Sequence, residues 1–353
     1  MANSKRPLMD IRRHLLAGQA IPALPLALNT ERKWCRKHQR ALIRYYLESG
    51  TGGIAVGVHS TQFEIREPRY GLFEPLLRFA SEQIDAYTRD SSNGFIKIAG
   101  LCGQTEQAVS EAKLAADCGY HAGLLSLAAM KHASEDELLA HCEAVSKHIS
   151  IIGFYLQSAV GGAPLPYSFW KRFAMIENVV AIKMAPFNRY QTIDVIRAVC
   201  ESGRSDISLY TGNDDNIIAD LVTPWDFAGQ KVFIRGGLLG QFGVWTSKAT
   251  AMLREIQRER ARGQLSPEWM SRNAALTDAN AAIFDAANNF RGVLCGIHEV
   301  LRRQGLLETN YCLDPNEQLS PGQAEELDRV CRAYPWLTDD AFVKENLHRW
   351  LSD

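Results

Sequence analysis

Short apolar runs recur along the chain at Ile21–Leu28, Gly53–Val58, Phe95–Ala99, Ala122–Ser126, Ile151–Leu156, Val179–Met184, Ile207–Thr211 and Val232–Ile234. Runs of this kind read as strands buried in a parallel sheet. Their spacing is roughly thirty residues, the length of one strand–helix unit. Helix-like stretches fall between them at Trp34–Ser49, Glu74–Arg89, Thr105–Cys118, Ser134–Lys147, Tyr167–Met175 and Tyr190–Glu201. Thr105 reads as a helix start and Ser134-Glu135-Asp136-Glu137 as a capping box. Gly119 reads as the left-handed residue that closes the helix before it.

Eight such alternations predict an α/β fold, a closed (β/α)8 TIM barrel. An open doubly wound sheet is the rival, but no GxGxxG follows the first strand. The expected organisation is an N-terminal segment over 1–18, the barrel over 19–262, and a helical extension over 263–353 packed on the barrel. Within that extension Ala274–Asn289, Gly292–Gln304 and Gly322–Ala333 read as helices, with Pro315 and Pro321 breaking the chain between the last two.

Composition narrows the function. The chain has 353 residues, 46% hydrophobic and 22% charged, with a formal net charge of −1. That balance argues against a nucleic-acid partner, which needs a basic surface. No apolar run approaches the roughly 18 residues of a membrane span. The opening MANSKRPLMDIRRHLLAGQA has no sustained apolar stretch, so no secretory signal is expected and the location is read as cytoplasmic. Eight scattered cysteines include no CxxC pair, and nine histidines include no HxH or HExxH. Reduced thiols and no metal site are therefore expected.

Candidate chemistry gathers at the C-terminal ends of the predicted strands, where barrels of this kind carry their reacting groups. The run VVAIKM puts Lys183 near the end of the sixth strand. Lys183 is either a solvated lysine or a desolvated amine, nucleophilic toward a carbonyl carbon. Tyr155 falls at a similar height on the fifth strand, as a core aromatic or as the proton carrier that imine chemistry needs. The turn Gly57–Thr61 brings His59, Ser60 and Thr61 and can hold a carboxylate; its plain alternative is a polar loop. After the seventh strand come Gly212, Asp214 and Asp215. The two aspartates either accept from substrate hydroxyls or cap a helix. Gly236 follows the eighth run.

These residues, in this order and spacing, resemble the dihydrodipicolinate synthase/N-acetylneuraminate lyase family of class I aldolases. The matching pieces are IPALPLALN, ESGTGGIAVGV, IIGFYL, VVAIKM and YTGNDD, across roughly residues 19–260. The resemblance implies a barrel acting on pyruvate or a related 2-oxo acid, with Lys183 forming the Schiff base and Tyr155 moving the proton. It also implies a homo-oligomer, a dimer or tetramer, and no cofactor. In the tail, Tyr334, Trp336 and Trp350 read as ordinary packing residues or as part of an oligomer contact.

There are departures. Where the family usually has a GTTGE-like turn, this chain has Gly57-Val58-His59-Ser60-Thr61. No tyrosine occurs in Ser126–His132, where many members carry a pair. Ser158-Ala159-Val160-Gly161 lacks the arginine of dihydrodipicolinate synthases, which argues against aspartate semialdehyde as the acceptor. The GNDD turn resembles the GYDE-like turn with which sialic acid lyases hold sugar hydroxyls. The expectation is a carbon–carbon or carbon–oxygen lyase acting on a 2-oxo acid with a hydroxylated tail, such as a keto-deoxy sugar acid. Two other readings remain: a catalytically degenerate barrel that binds or senses 2-oxo acids, and a metal-dependent hydrolase, for which no ligand set is visible.

Overall fold

The computed structural model describes residues 10–89 and 94–352. Residues 1–9 of the expected N-terminal segment lie outside the described residues.

Eight strands form the barrel: β1 (Ala20–Pro22), β2 (Gly53–Val56), β3 (Ile96–Leu101), β4 (Ala122–Leu125), β5 (Ser150–Leu156), β6 (Val179–Ala185), β7 (Ser208–Thr211) and β8 (Gly236–Leu239). All pair in parallel, in the order β1-β8-β7-β6-β5-β4-β3-β2. The Ala23–Ala55 bridge and the Leu24 N–H to Ala55 carbonyl bond at 2.8 Å close the circle. A helix follows each strand, from Arg36–Glu48 after β1 to Thr246–Arg262 after β8. Helix ends follow local chemistry. Ser134 and Glu137 form the expected capping box, and Gly119 takes φ +77° after Cys118. Thr105 is the first helical residue rather than the cap, which is Gln104.

Apolar residues fall on both faces of each strand. One set packs under the helices, and a second fills the barrel interior, with Ile21, Ala55, Ile98, Leu124, Ile152, Phe154, Ala181 and Leu238 among its members. The helix Ile11–Leu16 closes the lower end. Leu15 enters the interior cluster, and the Tyr210 hydroxyl donates to the Leu15 carbonyl at 2.9 Å.

The eighth strand differs from the expectation. Val232 belongs to an antiparallel hairpin, Trp225–Phe227 with Gln230–Val232. The barrel strand starts at Gly236. A Cβ on Gly236 would lie 2.2 Å from the Gln19 carbonyl oxygen, and one on Gly237 would lie 2.6 Å from Phe242. Close packing forces glycine here and removes the β-branched signature of a strand.

Four helices follow the barrel: Glu268–Ile283, Val293–Arg303, Gln323–Ala333 and Asp340–Trp350. The last returns to the helix after β1. Trp350 is fully buried with its ring 5.5 Å from that of Tyr45, and Tyr45 donates to Asp339 at 2.8 Å. The Tyr334 hydroxyl donates to Asp278 within the tail, while Trp336 stays partly exposed.

Candidate active site

The mouth of the barrel opens into a cavity of about 680 Å³, counting the open space at its entrance. Its walls include Ala23 from the end of β1, Val58, His59 and Ser60 after β2, and Phe154 and Leu156 from β5. Lys183 and Ala185 of β6, Gly212 and Asp214 after β7 and Gly240 after β8 continue the ring. Phe187, Gln157 and Val160 add from loops, and Phe284, Phe290, Val293 and Ile297 come from the tail. Five of these side chains are polar: His59, Ser60, Gln157, Lys183 and Asp214.

Lys183 owes its direction to register. It pairs with Phe154 on one side and Tyr210 on the other, both in the interior cluster. Its Nζ lies 4.4 Å from the centre of the Phe154 ring. Burial pushes its pKa down to about 8, with the Asp214 carboxylate acting weakly the other way. Gly212 makes room for it: a Cβ there would meet Lys183 Cε at 2.6 Å.

Asp214 is its charged partner. Burial pushes its carboxyl up to about 7, offset in part by Lys183 and by the Gln241 N–H, which donates to Oδ1 at 3.2 Å. The Asn280 amide donates to the Asp214 main-chain carbonyl at 2.7 Å and anchors the turn to the tail. Burial and the charge of Lys183 push His59 down to about 4, so it is a neutral imidazole at pH 7. His59 and Ser60 open a single helical turn in which Thr61 N–H is the first to find a carbonyl, that of Val58. The N–H groups at such a start suit an anion.

The other expected residues lie elsewhere. Tyr155 pairs with Met184, one step beyond Phe154 and Lys183, and so faces the helices. Its hydroxyl donates to the Leu165 carbonyl at 3.2 Å and accepts from the Leu165 N–H at 3.0 Å, beside Trp170. It does not line the cavity. The phase is set by a β-bulge, where Ile151 pairs with Val179 but Ile152 with Ala181. Thr61 is also committed: it donates to the Leu24 carbonyl at 2.6 Å and accepts from Gly57 N–H at 3.0 Å, pinning β2 to β1. Asp215 is exposed and outside the wall. Gly236 sits at the start of β8, remote from the mouth, and Gly240 takes the place expected of it.

Sequence reasoning missed Phe154, Gln157, Phe187, Gly240 and every contribution from the tail. Only the parity of β5 relative to β6 could have pointed to Phe154. Among the described residues, Cys35, His38 and Glu308 could together hold a metal ion, their ligand atoms lying within 4.8 Å of one another. None of the three lines the cavity. No helix among the described residues is long and apolar enough to cross a membrane.

The sequence model of the dihydrodipicolinate synthetase family matches residues 17–334. No curated protein matches significantly. Among solved structures, N-acetylneuraminate lyase from Fusobacterium nucleatum is similar at 16% identity and TM-score 0.70, covering 90% of this chain and 99% of its own. Dihydrodipicolinate synthase from Aquifex aeolicus is similar at 18% and 0.71, covering 91% and 99%. A prophage protein of the dihydrodipicolinic acid synthase family from E. coli K12, in complex with pyruvate, is similar at 15% and 0.71, covering 90% and 98%. At such identities the likeness to these structures is one of fold.

Proposed function

The chain belongs to the dihydrodipicolinate synthetase family, a family of class I aldolase lyases, and on that premise we propose that it is a Schiff-base-forming lyase acting on a 2-oxo acid of the pyruvate type. The observation that carries this is Lys183: an amine on a barrel strand, desolvated, open to a cavity, and facing a ring rather than an acceptor. A neutral amine in such a place attacks carbonyl carbon. The adduct loses water to an iminium, which draws electrons from the neighbouring bond and makes its cleavage easier.

The proton carrier in this reading is Asp214. With Tyr155 turned to the helices and Phe154 in its place, Asp214 is the wall group beside the amine whose carboxyl is pushed up to about 7, whereas His59 is held neutral. A carboxyl tuned near 7 can take and return a proton at neutral pH. The N–H groups of His59 and Ser60 and the Ser60 hydroxyl would hold the substrate carboxylate. The imine chemistry needs no cofactor. A homo-oligomer and a cytoplasmic location belong to the same reading. Incubation with pyruvate and borohydride should add one pyruvate-derived group at Lys183; the absence of any adduct across several 2-oxo acids refutes it.

One observation favours a second reading. Phe154 puts hydrocarbon where a hydroxyl would otherwise face Lys183. A barrel that binds 2-oxo acids without turning them over would form the trapped adduct yet release no product.

A further inference from the structure

Most of the wall above Lys183 is hydrocarbon. Phe187, just past β6, and Phe290, between two tail helices, meet edge to face with ring centres 5.8 Å apart. Both line the cavity and both hold positive φ, 52° and 64°. Bulky side chains rarely adopt that backbone, and such strain gathers where surrounding contacts impose it for function. The contacts are visible here. Phe187 N–H donates to Asn213 Oδ1 at 3.1 Å, and the buried Asn213 amide donates to Asp220 at 2.9 Å and Thr192 at 3.2 Å. Phe290 N–H donates to the Asp285 carbonyl at 3.0 Å, while the Asp285 carboxylate accepts from Gly292 N–H at 2.9 Å and Ser320 Oγ at 2.5 Å. Phe284 and Ile297 extend the roof over Gly240, where an added Cβ would touch both at 3.4 Å.

We propose that this roof selects the substrate tail, and that the tail is an aryl or similarly bulky apolar group. The substrate class is then a 4-aryl-4-hydroxy-2-oxobutanoate, the aldol adduct of pyruvate and an aromatic aldehyde. This rests on the Schiff-base reading of Lys183. The amine adds to C2 and the carbonyl oxygen leaves as water. The C3–C4 bond then breaks with its electron pair moving into the iminium, and the C4 hydroxyl proton passes to Asp214. The aldehyde departs, the enamine takes a proton at C3, and water frees pyruvate and regenerates the amine. A polyol tail fits less well. Lys183, Asp214 and Ser60 serve the amine, the reacting hydroxyl and the carboxylate, which leaves only the Gln157 amide and the neutral His59 imidazole for a polyol's further hydroxyls, while the roof offers them hydrocarbon. Asp215, which the sequence offered to such hydroxyls, lies outside the wall.

The test supplies the full chain with 4-hydroxy-2-oxo-4-phenylbutanoate or with 2-keto-3-deoxygluconate and follows pyruvate release. The phenyl compound should be favoured roughly a hundredfold or more in kcat/KM. Phe187→Ser and Phe290→Ser should each shrink that ratio by roughly tenfold, with thermal unfolding recorded for both. The wild-type ratio decides even where a variant does not fold. Equal rates, or preference for the sugar acid, with pyruvate still trapped at Lys183, overturns the role of the roof alone. Failure to trap pyruvate overturns the Schiff-base reading and this inference with it.

Discussion

The barrel holds two lysines in nearly identical local sequences, Ile96-Lys97-Ile98 on β3 and Ile182-Lys183-Met184 on β6. Lys97 faces the helices. It is 4% exposed and donates to both Asp85 oxygens at 2.8 Å and to Ser81 at 2.9 Å. Lys183 faces the interior, with a phenyl ring beside it and the Asp214 carboxyl on the same cavity wall. Both amines are withdrawn from water, Lys97 the more completely; the difference lies in what each Nζ meets. Three acceptors hold the first and tie β3 to the helix Phe73–Thr88. The second has burial as the main influence on it, which lowers its pKa and suits the nucleophile proposed above. On the proposed function, what separates a reactive lysine from a structural one is the lack of hydrogen-bond acceptors that hold its Nζ.

The largest expected effect tests that contrast directly. Lys183→Met should abolish turnover, by about 10⁴-fold or more, and leave no borohydride-trapped adduct. Its thermal stability should match or exceed wild type, since a costly buried charge is removed. Lys97→Met should do the reverse. It loses the Asp85 ion pair and its stability falls by about 1–2 kcal/mol, while adduct formation by mass spectrometry persists. If both variants lose the adduct, the two sites are not separable as described.

Next comes Asp214→Asn. Loss of a positioned acid–base group should lower turnover about 10²- to 10⁴-fold while trapping survives. The pH dependence sharpens the test. Trapping needs the neutral amine, so its rate should rise with pH through about 8. The Asp214 carboxylate raises the lysine pKa, so removing it should move that rise to lower pH. A limb that stays put would show the two groups to be uncoupled. A smaller loss, about 10- to 100-fold in turnover, is expected of Gly212→Ala, whose Cβ would push Lys183 Cε aside. Steady-state kinetics alongside the unfolding temperature would separate that displacement from misfolding.

The same contrast explains how much was legible in the sequence. Seven of the eight strands, the barrel and the place of Lys183 on β6 could be read because buried parallel strands are apolar throughout. That property also hides which face a residue takes. In Ser-Ile-Ile-Gly-Phe-Tyr-Leu every position but the first is apolar or glycine, so nothing local shows Phe154 inward and Tyr155 outward. The bulge at Val180 of β6 decides it. For β8, glycines demanded by close packing erased the strand signal. Asp214 and Asp215 are neighbours in one turn, and only the backbone path separates a wall residue from an exposed one. Phe284, Phe290 and Ile297 lie in helical or loop sequence with an ordinary apolar character. Their place over the barrel mouth depends on how the tail docks, which no local pattern encodes.

The smallest expected effect bears hardest on the proton carrier. The Tyr155 hydroxyl is fully used by the Leu165 main chain, outside the barrel wall. Tyr155→Phe should therefore leave turnover within about threefold of wild type, as expected for a residue outside the reacting shell. It strands a buried N–H and C=O, so it should cost about 1–3 kcal/mol of stability. A phenol that carried the proton would give the opposite pattern: turnover down about a hundredfold or more, with stability little changed. That outcome would require Tyr155 to turn inward, which means slipping β5 by one residue against β6. Such a slip would carry Phe154 out to the helices and strip Lys183 of the ring it now rests on. One conservative substitution, read by kinetics and by unfolding, thus tests the register on which the assignment of Asp214 depends.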